Sequence, residues 1–347
     1  MDRPAGQAQI AGVATAVPTI RVTMEDVSLA VGRGRGRGLR TTSPREAGTR
    51  YFAQPLASIM APRSLSEQTD AYLEHARILA RRVSRDALDR SGIDRDAVGL
   101  VIGVSCTGFV LPSLDSELIP ILGLRPDVAR LPITELGCGG GVAGLARAAD
   151  YLRAYPDRAV LLFSVELPSL TFQPDDHSVD NLVAAMVFGD GAGAAVLRIG
   201  ASANRWTVER TGTLLIPEGA RHLGYELRDG GLRVVLSRDL PAVVEARLEE
   251  AVEAFLAPSG LRQSDMDIIA AHPGGPRIFE AVERALGLKA DALRISRAVF
   301  AMCGNASSAG IFFVLSALEP PRPHSRALAI AFGPGLSIEL AMLRFDA

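Results

Sequence analysis

The sequence is poor in cysteine and contains a single lysine, Lys289. Its three cysteines, Cys106, Cys138 and Cys303, are too few and too scattered for a disulfide framework. Positive and negative side chains nearly cancel, with a formal net charge of −2, so no nucleic-acid-binding surface is predicted. The sequence does not open on a charged segment followed by an apolar run, so no signal peptide is expected.

Long apolar runs are also rare. The one stretch that resembles a membrane span, residues 298–318, carries Asn305, Ser307 and Ser308 at its centre. Polar groups are costly inside a bilayer, so a buried helix with a polar start is predicted instead. With 347 residues, 48% of them hydrophobic, the chain can bury one large core or two joined cores. We expect a cytoplasmic protein.

The chain contains an internal repeat of predicted elements. Each copy has a helix, a Ser-Gly break and an apolar strand that ends in a polar loop, and two further matching segments follow. The intervals agree, because Cys106 and Cys138 are 32 positions apart while His272 and Asn305 are 33 apart. The paired segments are 84–109 with 249–276, 126–152 with 290–318, and 157–167 with 325–335.

This repeat predicts an α/β protein of two duplicated halves, residues 1–200 with Cys138 and residues 201–347 with His272 and Asn305. Alternating strands and helices imply sheets covered by helices. In such folds the loops after the carboxyl ends of the strands carry the site. Two facing halves would therefore bring the loops of these three residues to a common centre.

The first half also contains an insertion. Residues 168–191 precede its closing strand and have no counterpart in the second half. Such an addition either shapes a substrate cavity or forms an excursion on the surface, and the sequence leaves both open.

Cys138 stands directly before three glycines and a stretch with helical periodicity. The unpaired N–H groups at a helix N-terminus lower the pKa of a thiol from its ordinary value of about 8.5. The glycines at 139–141 are expected to leave space above the sulfur and to let backbone approach a ligand. This setting suits a thiolate that attacks something large, although a lone cysteine is also typical of a small buried hydrophobe.

Among the five histidines, His272 is distinctive because it ends an apolar strand and precedes Pro-Gly-Gly-Pro, a rigid turn that fixes its direction. A strand-end histidine is also compatible with a structural role, and Asn305 with a helix N-cap. The repeat favours a joint site, because it directs Cys138, His272 and Asn305 towards one place.

A cysteine, a histidine and an asparagine together indicate acyl chemistry. A thiolate takes an acyl group from a thioester and forms a covalent intermediate. The histidine and the neutral amide donate hydrogen bonds to the carbonyl oxygen of a second thioester. If that thioester is malonyl-like, loss of CO2 leaves an enolate, which the same two donors stabilise. The carbanion then attacks the acyl-cysteine. No metal is predicted, since no Cys/His cluster has ligand spacing, and no cofactor is predicted beyond CoA thioester substrates.

From about Thr49 onward the chain resembles the type III polyketide synthases, the chalcone synthase family and its bacterial relatives, within the thiolase superfamily. The resemblance implies a thiolase-like fold with a layered α-β-α-β-α arrangement, and it places the family's catalytic triad at Cys138, His272 and Asn305. Ketoacyl-carrier-protein synthase III has this triad with a His-Gln-Ala-Asn motif, and thiolases need a second cysteine that is not found after Cys303. The stretches that carry the resemblance are TRYFAQPL, VSCTGFVLPSL, GCGGG, VFGDGAGAAVL, AHPGGPRI, GNASSAG and FGPGLSIE.

The resemblance also implies substrate-binding residues. Phe188, just before Gly-Asp-Gly, matches a gatekeeper phenylalanine between the CoA tunnel and the cavity, and its apolar face should favour decarboxylation. Val234 occupies the position of a second gatekeeper phenylalanine, a departure that is expected to widen the gate. Thr171 falls at a cavity-lining position, and Pro334 and Gly335 belong to the loop that floors the cavity.

Two further positions concern the partner subunit and CoA. Leu111 matches the residue that family dimers insert into the partner's cavity. The N-terminal region departs most from the family, because residues 32–38 alternate glycine and arginine, and Arg40 falls on a position that binds CoA phosphates. This segment is either a solvated loop or a flexible phosphate-binding one. In the first case an acyl carrier protein is the alternative donor.

The sequence thus predicts a homodimeric, type III polyketide synthase-like acyltransferase. It would load an acyl-CoA starter on Cys138, condense it with malonyl-CoA by decarboxylative Claisen condensation, and release a polyketide. The alternatives are a single-step condensing or acyl-transferring enzyme of the ketoacyl-carrier-protein synthase III kind, and a non-catalytic partner subunit. Intact Cys138, His272 and Asn305 argue against the last alternative.

Overall fold

The computed structural model describes residues 6–32, 48–200 and 202–346. The strands are β1 (Ala8–Ala16), β2 (Ile20–Thr23), β3 (Thr49–Phe52), β4 (Val98–Val104), β5 (Ala129–Ile133), β6 (Ala159–Glu166), β7 (Gly191–Ile199), β8 (Arg205–Leu215), β9 (Leu223–Arg228), β10 (Gly231–Leu236), β11 (Ile268–Ala271), β12 (Arg326–Gly333) and β13 (Ser337–Asp346). The α-helices are α1 (Met24–Gly32), α2 (Leu56–Ile59), α3 (Leu65–Ser91), α4 (Asp115–Ile121), α5 (Gly140–Ala154), α6 (Val179–Val187), α7 (Leu240–Leu256), α8 (Pro276–Ala285), α9 (Arg294–Cys303) and α10 (Gly310–Ser316).

One nine-stranded sheet has the order β11-β12-β13-β8-β1-β7-β6-β4-β5. In the first half β1 pairs antiparallel with β7, β7 pairs antiparallel with β6, and β6 pairs parallel with β4. In the second half β8, β13, β12 and β11 pair in the same order with the same directions. A short antiparallel pairing of β1 with β8 joins the two. This repeated topology confirms the two duplicated α/β halves.

The helices and strands form the layered arrangement that the resemblance implies. Helix α3 packs on β1, β6 and β7 outside the first half, and the core beside α7 and α8 includes β11, β12 and β13. Helices α5 and α10 contact strands of both halves and form the middle layer. The order of layers is therefore α-β-α-β-α.

Side-chain size along β12 shows how the sequence specifies two packed faces. Because successive side chains point to opposite faces of a strand, Ala327, Ala329 and Ala331 share one face. These alanines join the core around the middle helices, whereas Leu328 and Ile330 join the core beside α7 and α8. Small residues let the middle helices approach the sheet closely, and large ones fill the outer core.

The two halves differ where the repeat predicts matching elements. In the first half the segment before the glycine-rich turn contains strand β5, but the corresponding segment of the second half forms helix α9. The segment that follows is helical in both halves, as α5 and α10. No helix in the part of the chain that the structure describes is long and apolar enough to cross a membrane.

Candidate active site

Cys138 lies on a 3-10 turn, Gly137–Gly139, that leads directly into α5. Gly137 has a φ of 45°, a left-handed conformation that favours glycine, and Pro334 packs against it. The Cys138 side chain is 9% exposed. Its Sγ lies 4.0 Å from Oδ1 of Asn305 and 3.6 Å from Oγ of Ser307, both from the second half of the chain.

Asn305 is held between the two halves by backbone hydrogen bonds. Its N–H donates to the carbonyl of Val187 at 3.0 Å, and its carbonyl accepts from the N–H of Gly189 at 3.1 Å. The N–H of Ser307 donates to Oδ1 of Asn305 at 2.8 Å, which fixes which amide atom is the oxygen. Nδ2 therefore carries the donor hydrogens of this amide.

His272 follows β11 directly and is buried, with 2% of its surface exposed. Its imidazole lies against the first residue of α10, because a Cβ at Gly310 would come within 3.0 Å of Nδ1. Neither ring nitrogen has a hydrogen-bond partner among the described residues. Burial lowers the pKa of His272 to about 4, and the nearby Asn305 amide opposes that shift. The ring is thus neutral at pH 7.

The expected lowering of the pKa of Cys138 is wrong for this arrangement. Burial raises the pKa of its thiol to about 11, and the Glu166 carboxyl adds to the rise, while the hydrogen bonds with Ser307 and Asn305 oppose it. The glycines do not leave open space either, because Gly140 packs on Val104 and the following glycine packs on the second half. Burial therefore keeps both the Cys138 thiol and the His272 imidazole neutral in the resting site.

The φ values refine the repeat. Ser307 has a φ of 46°, close to the 45° of Gly137, and each residue starts a 3-10 turn before a helix. Ser308 is therefore the structural counterpart of Cys138, three residues beyond Asn305, with which the sequence repeat pairs Cys138.

Hydroxyl groups around the thiol were not predicted from the sequence. Ser307 Oγ lies 3.3 Å from the sulfur of Cys106 and 3.6 Å from that of Cys138, so one hydroxyl bridges two thiols. Glu166 is buried behind them and accepts hydrogen bonds from the Thr107 hydroxyl at 2.7 Å and from Ser308. Burial raises the pKa of Glu166. The only signal in the sequence was the motif GNASSAG, whose two serines follow Asn305 after one alanine.

The two predicted gate residues lie beside the thiol. Phe188 and Val234 form one buried cluster with Cys138 and Ala184, and Tyr225 packs against it. Phe188 is 9% exposed and Val234 is 7% exposed. The insertion of the first half provides α6 and Phe188 for this cluster, which agrees with the cavity interpretation of that segment.

The other predicted positions are distributed around this centre. Thr171 lines a small pocket together with Phe188 and Val234, and its hydroxyl donates to the Pro168 carbonyl at 2.9 Å. Pro334 and Gly335 follow β12. Pro334 packs on Gly137 in the turn of the thiol, whereas Gly335 lies against Leu215 and Gly219. Leu111 lies apart, with 83% of its surface exposed. Arg40 lies outside the described residues.

A groove of about 400 Å³ approaches the site from outside. One wall is α6, and the other is formed by residues 236–241 and by the turn 274–278 that follows His272. Arg238 and Arg277 line the groove, and the Arg277 guanidinium donates to the Arg238 carbonyl at 3.3 Å. The groove thus combines an apolar wall with two positive side chains.

Within residues 6–32, 48–200 and 202–346, no group of three or more His, Cys, Asp and Glu side chains is arranged to hold a metal ion.

A duplicated α/β fold with a buried cysteine, histidine and asparagine between its halves defines a condensing enzyme of the thiolase type.

Family comparisons specify this class further. The family models for chalcone and stilbene synthases match residues 53–203 with the N-terminal domain and residues 208–345 with the C-terminal domain. A 1,3,6,8-tetrahydroxynaphthalene synthase of Streptomyces peucetius subsp. caesius is 37% identical, over 97% of this chain and 93% of the relative. A putative chalcone synthase of Bacillus subtilis is 34% identical, over 86% of each chain.

The crystal structure of 1,3,6,8-tetrahydroxynaphthalene synthase from Streptomyces coelicolor, a bacterial type III polyketide synthase, superposes with a TM-score of 0.90. Its sequence is 29% identical, and the match covers 98% of this chain and 99% of that one. The chain therefore belongs to the chalcone and stilbene synthase family. It is a bacterial type III polyketide synthase, a decarboxylating condensing enzyme.

Proposed function

We propose that Cys138 accepts the acyl chain and that His272 and Asn305 bind the thioester carbonyl of malonyl-CoA. The observation that carries this proposal is the approach of Cys138 Sγ to within 4.0 Å of the Asn305 amide, across the two halves, in a buried site that also holds His272. Equivalent loops of a duplicated fold supply the nucleophile from one half and the carbonyl-binding groups from the other.

Loading is an acyl transfer from an acyl-CoA. The Cys138 sulfur attacks the thioester carbon while the neutral His272 accepts the thiol proton. A new carbon–sulfur bond forms to the enzyme, the bond to CoA breaks, and the CoA thiolate leaves with the proton from His272. Because the pKa of Cys138 is about 11, the thiolate forms in the attack itself and is not present beforehand.

Extension uses the two carbonyl-binding groups. Nδ2 of Asn305 and the N–H of the His272 ring donate to the carbonyl oxygen of malonyl-CoA. The bond to the carboxylate carbon breaks, CO2 leaves, and the electron pair becomes an enolate whose oxygen those donors stabilise. The enolate carbon attacks the acyl-Cys138 carbonyl, which forms a carbon–carbon bond and releases the Cys138 sulfur.

Apolar groups at the gate favour loss of CO2. Phe188, Val234 and Ala184 surround the thiol. A charged carboxylate is destabilised in such apolar surroundings, whereas neutral CO2 is not, so the loss of CO2 is favoured. Val234 is smaller than a phenylalanine, so this gate admits a bulkier thioester arm. The groove along α6 gives the CoA arm a path, with Arg238 and Arg277 available for its phosphates.

We infer a homodimer from an exposed apolar patch. The patch consists of Ile78, Phe109, Leu111 and Ile121, which are 62%, 64%, 83% and 48% exposed. Apolar side chains exposed to this degree favour burial against a second subunit. Leu111 has the highest exposure and would reach furthest into the partner.

Intact-protein mass spectrometry tests the chemistry. The purified chain is incubated with a panel of acyl-CoAs, with and without malonyl-CoA, beside Cys138→Ala. We expect one acyl adduct that needs Cys138, whose mass identifies the starter, and a released, cyclised product when malonyl-CoA is added. Acylation without extension would instead indicate a single-step transferase. No adduct from any CoA donor would contradict loading from CoA and indicate a carrier-protein donor or a silent subunit.

A further inference from the structure

Arg50, on β3, is a fully buried arginine with 0% of its surface exposed. No carboxylate of the described residues lies within ion-pairing distance of it. Burial lowers its pKa to about 10, so the guanidinium stays charged at neutral pH. An unpaired buried charge is costly and persists only where other groups satisfy it.

Backbone carbonyls and an aromatic ring stabilise this charge, although Nε of Arg50 has no hydrogen-bond partner among the described residues. One terminal nitrogen donates to the Met186 carbonyl at 3.1 Å, and the other donates to the carbonyls of Thr49 at 2.9 Å and Phe300 at 3.3 Å. The guanidinium carbon lies 4.6 Å from the centre of the Phe300 ring. The Arg50 guanidinium is thus stabilised by hydrogen bonds to carbonyls and by a cation–π contact, in place of an ion pair.

Two of these carbonyls belong to the last turns of helices that lead into the site. Met186 is in the last turn of α6, which Phe188 follows, and Phe300 is in the last turn of α9, which precedes Asn305. A cation is favourable at a helix C-terminus because it faces the negative end of the helix dipole. One guanidinium therefore joins the ends of two helices from different halves.

The loops beyond these helices pack directly on Arg50. A Cβ at Gly304 would lie 2.5 Å from Nε of Arg50, and a Cβ at Gly189 would lie 3.2 Å from its Cδ. Gly304 immediately precedes Asn305, and Gly189 immediately follows Phe188. Arg50 thus packs against both loops where the backbone of Phe188 pairs with that of Asn305.

We propose that Arg50 is a positioning residue, which sets the Asn305 amide and the Phe188 gate relative to the thiol. This inference rests on the proposed role of Asn305. Loss of the guanidinium leaves the ends of α6 and α9 without a common anchor, so the amide moves away from the malonyl carbonyl. Cys138 is carried by another turn and keeps its reactivity.

The test separates these two effects in one set of proteins. Malonyl-CoA decarboxylation without a starter reports on the amide, and the rate of Cys138 alkylation by iodoacetamide reports on the thiol. The variants are Arg50→Met and Arg50→Lys, with Arg210→Met as the control. Arg210 is a half-buried arginine whose guanidinium stacks on Phe255 at 5.4 Å, in the second half of the chain.

We expect Arg50→Met to lower decarboxylation about 100-fold, as a displacement near 1 Å can, with alkylation changed less than about threefold. Arg50→Lys keeps the charge but not the fork of donors, so its decarboxylation should fall about tenfold. If Arg50→Met does not fold, the decarboxylation and alkylation rates of Arg50→Lys alone test the inference. Arg210→Met should change neither rate.

Decarboxylation within twofold of the wild type in a folded Arg50 variant would overturn the inference. A parallel fall of both rates with the folded fraction would do the same, because it would show a structural role only. If the wild type alkylates at Cys138 but does not decarboxylate malonyl-CoA, the proposed function itself fails, and this inference fails with it.

Discussion

At the scale of single residues, the resting state of the site is set by burial. The sulfur of Cys138 and the ring of His272 are both desolvated, and desolvation disfavours the charged form of each. Their pKa values therefore move apart, to about 11 and about 4. Glu166 lies behind the thiol and adds a second reason for the sulfur to keep its proton. In the proposed mechanism, the thiol therefore transfers its proton only when the sulfur attacks a substrate carbonyl.

Alkylation kinetics provide the corresponding prediction. The rate of reaction of Cys138 with iodoacetamide should rise about tenfold per pH unit above pH 7 and level off near pH 11, since only the thiolate reacts. Mass mapping separates this cysteine from Cys106 and Cys303. A rate that is already constant at pH 7 would contradict a neutral thiol.

The same pKa shift affects stability. The folded-state pKa of Cys138 lies above its ordinary value of 9.0, so the thiol contributes stability that is fully present below pH 9. That contribution is lost as the pH rises through about 11. Cys138→Ala should therefore flatten the alkaline part of a stability curve from urea unfolding.

Residue identities near the thiol show where sequence reasoning stops. Cys138, His272 and Asn305 could be selected because each stands at a strand or helix boundary beside glycine or proline. Ser307 was not selected, because the motif that contains it does not show that its Oγ meets the two sulfurs once the halves pack. The pKa of Cys138 was mispredicted for the same reason, since its burial comes from residues distant in sequence.

At the scale of elements, the start of α10 positions the histidine. Gly310 is the first residue of this helix, and a Cβ there would lie 2.9 Å from both Cε1 of His272 and Cγ of Pro273. Only a residue without a side chain lets the helix approach the ring so closely. The start of helix α10 thus limits where the imidazole can lie.

Gly310→Ala should therefore displace the His272 ring and lower malonyl-CoA decarboxylation at least about tenfold, with an overpacking cost of about 1–3 kcal/mol. Gly260→Ala is the matched control, because Gly260 has a φ of 67° and open space around its Cα. It should lose about 1–3 kcal/mol in urea unfolding through backbone strain without losing decarboxylation. Equal activity of the two variants would show that the ring tolerates the methyl group.

Helices and strands could be predicted from the sequence where the hydrophobic pattern of one half recurs at the same intervals in the other half. The paired segments around β4 and β11, and around β6 and β12, have the same apolar runs and the same intervals. The segments of β5 and α9 differ, because short apolar runs do not separate strand from helix without their neighbours. Pairing with β4 makes β5 a strand, whereas α9 packs on β3, β11 and α10.

At the scale of the whole molecule, the exposed apolar patch is the surface through which we propose that two subunits associate. Leu111→Asp places a charge at its most exposed point, and burying that charge is unfavourable, so we expect a shift from dimer to monomer. Light scattering after size-exclusion chromatography measures the change. Leu227→Asp is the control, since Leu227 is 67% exposed on β9, outside the patch. A dimer that survives Leu111→Asp would place the interface elsewhere.

The backbone pairing of Phe188 with Asn305 has a consequence for motion. Hydrogen bonds from the N–H and the carbonyl of Asn305 fix the backbone on both sides of Phe188. The backbone at Phe188 therefore cannot move as a flexible loop without displacing Asn305. If Phe188 is the gate that we propose, we expect a growing chain to pass by rotation of its ring, a movement far faster than the opening of a lid. We therefore expect the turnover rate to be limited by the chemical steps and by product release, and not by a backbone movement that opens the site.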